Sequence, residues 1–217
     1  MTRFVSLAVM LVIGHRGYAA RQPDNSLSGI AEALRVGAAG VELDLRVTAD
    51  GVGVLCHDPD IPTESGEVIP VATASSAAVR ACASTDTTRV ATLAEALDLL
   101  PLEAMLLLEL KPQAADPVLA VLRHHQPALD KRALQGSLRV LSFDLALLQR
   151  IAVAHLSWLP WWLIEDAGLA VRCLDAGLPA SVAGLALHHA LPLSENTWNR
   201  LDQRGWLGAV WTVNPPR

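Results

Sequence analysis

The chain has 217 residues, 52% of them apolar and 18% charged, and carries a formal net charge of −5. That length suits one domain, 1–217, with a sizeable core, and the apolar fraction excludes a disordered chain. The negative balance argues against a nucleic-acid partner, which needs a basic face; it leaves room for a phosphate substrate held by a bound cation and a few local Arg or Lys.

The N-terminal run from Phe4 to Ile13, behind Arg3, superficially resembles a signal peptide. It lacks a small-residue cleavage site, runs directly into His15, and is too short to span a bilayer. Its second half therefore reads as the first strand, roughly 9–14, and no stable membrane insertion is expected. The three cysteines, Cys56, Cys82 and Cys173, are odd in number and form no CxxC. They read as buried thiols of a reducing, cytoplasmic compartment.

After the first strand, Leu27, Ile30, Ala31 and Leu34 recur at helical spacing, with Gly37 at the helix end. The second strand falls near 40–46. On it Glu42 and Asp44 are two residues apart, so both point to one face. Two carboxylates on one face repel unless a cation lies between them, the usual basis of a hard-metal site. Asp50-Gly51 is a hairpin signal. With these two residues as the loop, Asp44 pairs with His57, and the turn folds a histidine back onto the carboxylates.

The stretch 57–91 reads as a small, polar insertion above the strand ends, with one short helix. Thr92 and Glu95 make a capping box for a helix stopped by Pro101. Met105 to Leu110 is an apolar run broken only by Glu109, the pattern of a strand buried on both faces. Asp116-Pro117 reads as a cap followed by proline at the start of another helix. Strands near 138–143, 157–164, 182–187 and 208–213 then alternate with helices near 144–155, 166–177 and 194–204.

Strict β–α alternation with buried strands implies an α/β fold, a parallel sheet covered by helices. Chemically active residues at the ends of several strands favour a (β/α) TIM-type barrel over a doubly wound sheet. Gly14-His15-Arg16-Gly17 is also not the glycine fingerprint of a dinucleotide fold.

Several segments in order carry a further signal: His15-Arg16-Gly17, Pro23-Asp24-Asn25-Ser26, Glu42-Leu43-Asp44, Thr48-Ala49-Asp50-Gly51 and His57-Asp58. Glu109-Leu110-Lys111, Ser142-Phe143-Asp144 and Trp211-Thr212-Val213-Asn214 follow. Together they resemble the glycerophosphodiester phosphodiesterase family across nearly the whole chain. The resemblance implies a barrel of the phospholipase-C-like phosphodiesterase kind. It also implies hydrolysis of a small-molecule glycerophosphodiester to an alcohol and glycerol 3-phosphate.

In that family the counterparts of Glu42, Asp44 and Glu109 hold the metal, and all-oxygen ligation suits Mg²⁺ or Ca²⁺. His15 and His57 are the expected acid–base pair, since imidazole titrates near neutrality. Arg16 suits bidentate contact with a phosphate, a use the family makes of this position. Lys111 is placed to neutralise Glu109 or a ligand phosphate, and Trp211 to wall the alcohol moiety or close the barrel. Asp24 stands where the family has a glutamate, one methylene longer.

Past Trp-Thr-Val-Asn the family continues with another strand and helices, whereas this sequence stops at Arg217. The expectation is seven strands, a missing last β/α unit, and an open seam that invites a homodimer. Two alternatives accompany the main reading: a lysophospholipase D-like lipid phosphodiesterase, and a truncated, non-catalytic barrel that binds phosphate ligands or a protein partner.

Overall fold

The structure is a computed structural model describing residues 10–63, 66–82, 89–154, 158–192 and 194–213. The expected strand-one residue 9, the start of the N-terminal apolar run, His155 and Asn214 lie outside these residues.

In chain order, the first half contains β1 (Ile13–His15), α1 (Leu27–Arg35), β2 (Gly40–Val47), β3 (Gly53–Leu55), β4 (Asp60–Pro62), β5 (Val68–Pro70), α2 (Ser76–Ala81), α3 (Leu93–Leu99) and β6 (Met105–Leu110). The second half contains α4 (Ala115–His124), α5 (Gln126–Leu134), β7 (Leu138–Ser142), α6 (Leu145–Ala154), β8 (Pro160–Ile164), α7 (Ala167–Ala176), β9 (Gly184–His188), α8 (Glu195–Gln203) and β10 (Leu207–Trp211).

Seven strands form one parallel sheet in the order β1-β2-β6-β7-β8-β9-β10, and β3 pairs with β2 antiparallel. Each strand neighbours the next parallel strand in sequence, as β–α units wound in one direction require. Among the described residues no ladder joins β10 to β1. The two edges meet at a side-chain contact, Thr212 Oγ1 lying 3.4 Å from His15 Nε2.

The period-two alternation of the strands separates two cores. Val41, Leu43, Leu45, Leu106, Leu108, Leu110, Leu138 and Val140 face outward and pack with Ile30, Leu93, Val118, Leu122 and Leu147 of the helices. The opposite face turns inward, where Leu107, Leu141, Trp161, Leu163 and Ala186 pack with Ile13, Ala209 and Trp211. The inner face of β2 breaks this pattern with Glu42, Asp44 and Arg46, all buried.

The Thr92–Glu95 capping box forms as expected, each side chain bonding the other's backbone. The hairpin register differs from the expectation by one residue. Leu45 pairs with Leu55, Arg46 with Val54 and Val47 with Gly53, so Asp44 lies opposite Cys56, whose N–H donates to the Asp44 carbonyl at 3.0 Å. The cause is a three-residue loop, Ala49 to Gly51. Gly51 takes φ +77° and donates back to the Thr48 carbonyl, the turn-plus-left-handed-residue geometry of such loops.

The start of α4 also differs from the expectation. The helix begins at Ala115 with no side-chain cap, so Asp116 sits inside the first turn and pairs with Arg150 at 2.5 Å. Helix α5 was not expected. It hides its origin in a polar sequence, and its buried Arg132 donates to the Leu100, Pro101 and Ala104 carbonyls behind α3. On α1 it is Gly29, Ile30 and Ala33 that are buried, while Ala31 faces solvent. Only Cys173 of the three cysteines is buried; Cys56 and Cys82 are half-buried, and all three are free.

Candidate active site

The polar side chains gather at the carboxyl ends of β1, β2 and β6, above the apolar interior. The chain leaves β1 in a sharp turn, with Arg16 at φ 54° and Gly17 at φ 82°. A Cβ on Gly17 would lie 2.7 Å from the Gly29 carbonyl carbon, so only glycine lets the turn rest on α1. The turn aims the Arg16 N–H at Glu42 Oε2, 3.1 Å away. It also brings the Arg16 guanidinium between Asp24 Oδ2 (2.9 Å) and Asp44 Oδ2 (3.2 Å). Asp24, although shorter than glutamate, thus still reaches Arg16.

Asp44 is fixed from the same loop. Asn25 donates to its Oδ2 at 2.8 Å and accepts its backbone N–H at 2.9 Å. Asn25 adopts φ 57°, a left-handed conformation that asparagine tolerates better than most residues.

The strand registers align Glu42 with Leu107 and Asp44 with Glu109 on β6. Glu42, Asp44 and Glu109 consequently present carboxylate oxygens that all lie within 4.8 Å of one another, with all three residues buried. Lys111, buried on the same face of the chain as Glu109, places Nζ 2.6 Å from Glu109 Oε1 and 2.9 Å from Asp44 Oδ1. Burial, then the charges of Asp44 and Glu109, push the Glu42 carboxyl well above its ordinary range. Burial raises Glu109 as well, against the pull of Lys111.

The donor set fits a divalent cation. Glu42 Oε1 is buried with no hydrogen-bond partner, an arrangement that is costly for a carboxylate oxygen. Three converging oxygens are hard ligands of the kind Mg²⁺ and Ca²⁺ take.

Of the two expected histidines, His15 borders this cluster, and His57 is tied by its backbone to β2, the strand that carries Asp44. His15 Nε2 lies 3.8 Å from Glu42 Oε2, and burial, followed by the charge of Arg16, lowers its pKa below 6.5. His57 stands past the end of β3, its side chain 42% exposed and its Nδ1 2.8 Å from Asp58 Oδ1. The His57 carbonyl accepts from Arg46 Nε (3.0 Å) and Nη2 (2.7 Å).

Trp211 sits across the mouth at the end of β10, its Nε1 donating to the Ala186 carbonyl at 3.0 Å. Its ring meets Phe143 and His188 edge-to-face at centroid distances of 5.6 and 4.7 Å. It therefore packs over the inner core. His124 ends α4, and His125 separates it from α5; neither has a place in the cluster.

Sequence reasoning assigned no role to Asn25, Phe143 or Arg46. The Pro-Asp-Asn turn was a usable signal for Asn25, and the Ser-Phe-Asp segment at a strand end for Phe143. For Arg46 the only signal was its parity with Glu42 and Asp44.

These features define a TIM-type (β/α) barrel with a buried acidic centre at the carboxyl ends of its first strands. Residues 15–217 match the model of the glycerophosphoryl diester phosphodiesterase family, and the chain belongs to that family. Among relatives, it is 53% identical over 49 residues to bovine glycerophosphodiester phosphodiesterase 1, covering 23% of this chain and 15% of that protein. It is 41% identical over 58 residues to the glycerophosphodiester phosphodiesterase of Caldanaerobacter subterraneus, covering 26% of this chain and 24% of that one. The matched stretches thus span less than a quarter of these curated relatives.

The fold is shared over far more of the chain. A glycerophosphoryl diester phosphodiesterase structure from Agrobacterium tumefaciens superposes with TM-score 0.81 at 19% identity, over 96% of this chain and 87% of that one. An Oleispira antarctica phosphodiesterase, solved with the product sn-glycerol-3-phosphate, gives 0.77 at 20% identity over 95% and 86%. Among the described residues no helix is long and apolar enough to cross a membrane.

Proposed function

We propose that the chain hydrolyses glycerophosphodiesters to an alcohol and glycerol 3-phosphate. The observation that carries this reading is the convergence of three buried carboxylates with Arg16, Lys111 and His15 at one barrel mouth. The product complex of the Oleispira relative, which shares the fold, supports the substrate class.

Glu42, Asp44 and Glu109 would hold one Mg²⁺ or Ca²⁺, the cations that an all-oxygen set selects. Such a cation polarises phosphoryl oxygens and offsets the charge that develops on them. Arg16, already flanked by carboxylates, has its planar donors at the site and suits the bidentate grip a phosphate needs. Lys111 adds a second positive charge beside it.

The two imidazoles divide the proton transfers. Desolvation and the neighbouring Arg16 favour the neutral ring of His15, the form that accepts a proton from the attacking water, or from a substrate hydroxyl whose cyclic phosphate water then opens. Asp58 engages His57 Nδ1, which leaves Nε2 as the nitrogen that gives a proton to the departing alkoxide. Trp211 and Phe143 offer an apolar wall to the carbon skeleton of the substrate.

The experiment is release of glycerol 3-phosphate from glycerophosphocholine by the wild-type chain, by Glu42→Gln and in chelator. Turnover by wild type alone supports the reading. Equal turnover in all three removes the cation from it, and none in wild type supplied with Mg²⁺ or Ca²⁺ removes the substrate.

A further inference from the structure

Arg46 has no part in the reaction as described so far, and its setting is unusual. It lies on β2 two residues beyond Asp44, on the same inward face, and only 8% of it is exposed. Among the described residues no carboxylate lies within ion-pair distance of it, whereas Arg16 and Lys111 each contact two. A guanidinium withdrawn from water without a counter-charge is costly unless its donors are satisfied.

Its donors go to backbone carbonyls instead. Nε and Nη2 both grip the His57 carbonyl, at 3.0 and 2.7 Å, and Nη1 reaches the Pro112 carbonyl at 3.5 Å. One rigid fork thus ties the His57 segment to the strand that carries Asp44. Through Pro112 it also leans on the residue after Lys111. The backbone bond before His57 is the one from the Cys56 N–H to the Asp44 carbonyl at 3.0 Å, and the Arg46 fork holds the His57 carbonyl itself. The β2–β3 ladder ends at Leu55, and the described contact of the imidazole is with its exposed neighbour Asp58.

Because the three-residue loop shifted the register, ladder pairing alone does not deliver His57 to the cluster. The Arg46 fork supplies that constraint from the other side of the hairpin. A cavity of about 200 Å³ lies on the far flank of Arg46, lined by Pro59, Val71, Pro112 and Gln113 among others.

We propose that Arg46 is a positioning residue that holds the His57 backbone, and so its imidazole, in register with the carboxylate cluster. The inference rests on the reading of His57 as the proton donor. A misplacement of about 1 Å at a reacting group can cost up to about 10²-fold in rate, which sets the expected scale.

The test compares wild type, Arg46→Met, Arg46→Lys, His57→Ala and the double variant Arg46→Met/His57→Ala, using glycerophosphocholine with Mg²⁺ or Ca²⁺. Arg46→Met keeps the apolar stem and removes the fork. It should lower kcat by about 10- to 100-fold while KM stays within about threefold. Arg46→Lys, whose single ammonium can hold one carbonyl, should recover part of the loss. The double variant should turn over no more slowly than His57→Ala alone, since residues acting through one another are not additive.

Independently of turnover, the ¹H–¹³C ring resonances of His57 should move in Arg46→Met and partly return in Arg46→Lys, while those of His15 stay in place. An unchanged kcat in Arg46→Met, a multiplicative loss in the double variant, or stationary His57 resonances would each overturn the proposal. If the wild type releases no glycerol 3-phosphate, the functional reading fails, and the ring resonances still decide whether Arg46 positions His57.

Discussion

The two flanks of the sheet are built differently. On the β1–β2–β6 side, every residue of β2 is buried and β6 is buried from its second residue onward. At the other end of the sheet β9 is buried up to His188, but the edge strand β10 has no buried residue, with Leu207 and Val210 open to solvent. The buried carboxylates, Arg16 and Lys111 belong to the first flank; the second brings the Trp211 and His188 rings together and sets the Thr212 hydroxyl beside His15. The difference has a physical reason. Carboxylates crowded at a few ångströms keep their geometry where the backbone cannot relax, and β2 and β6, paired on both sides over a packed helical layer, provide that, whereas the half-buried edge strand β1 leaves Arg16 to be held by its ion pairs with Asp24 and Asp44. An aromatic wall tolerates a looser frame, because its contacts are broad and non-directional.

The contrast can be sharpened by substitution, and the largest effect is expected where burial and charge coincide. Glu42→Gln leaves the side-chain volume nearly unchanged and removes one anionic ligand. Activity should fall below detection while the circular dichroism spectrum and thermal midpoint stay close to wild type. Retained turnover would show that the rigid flank is not the catalytic one.

A smaller loss is expected at the imidazoles. His15→Ala and His57→Ala should each reduce kcat by roughly 10²–10⁴, the range for losing a general acid or base. An unaffected rate in either variant would remove that residue from the chemistry.

The looser flank should respond more mildly. Trp211→Ala should raise KM up to about tenfold, in line with roughly 0.5–1.5 kcal/mol for an aromatic contact. A fall in kcat as steep as that of the histidine variants would mean the wall also sets the geometry of His15, through Thr212.

The smallest effect concerns stability away from the site. Arg80, backed by the Thr92 cap, holds the Glu95 carboxyl down at about 2 against an ordinary value near 4.5. A depressed carboxylate contributes stability above its unfolded value, and that contribution is lost as pH falls from about 4.5 towards 2. Glu95→Gln should cost about 0.5–1 kcal/mol at neutral pH, as expected for a solvent-screened ion pair. In thermal unfolding the gap to wild type should close on acidification below about pH 4; a constant gap would refute the ion pair as its source.

The acidic cluster was legible in the sequence because period-two spacing puts Glu42 and Asp44 on one face whatever the strand's exact ends. The β–α alternation was legible because each apolar run is short and bounded. The hairpin register was not. Thr48-Ala-Asp-Gly suits both a two- and a three-residue loop, and the choice depends on Asp50 accepting from the Thr48 hydroxyl and from Ser76 of α2, far along the chain. Helix α5 was hidden for a related reason. Its buried residues are Leu129 and Arg132, and a buried arginine that serves the carbonyls behind another helix looks like a surface charge in sequence. Arg46 was overlooked on the same ground, since its partners are carbonyls and carbonyls leave no mark on residue type.

The central claim is that three buried carboxylates on the rigid flank make this barrel a cation-dependent phosphodiesterase. The most direct measurement is the rate of glycerol 3-phosphate release from glycerophosphocholine by wild type, before and after EDTA, and again after Mg²⁺ or Ca²⁺ is restored. The account predicts turnover that vanishes in chelator and returns with the added cation, with Glu42→Gln inactive throughout. Turnover unchanged by EDTA, or equal in Glu42→Gln, would contradict it.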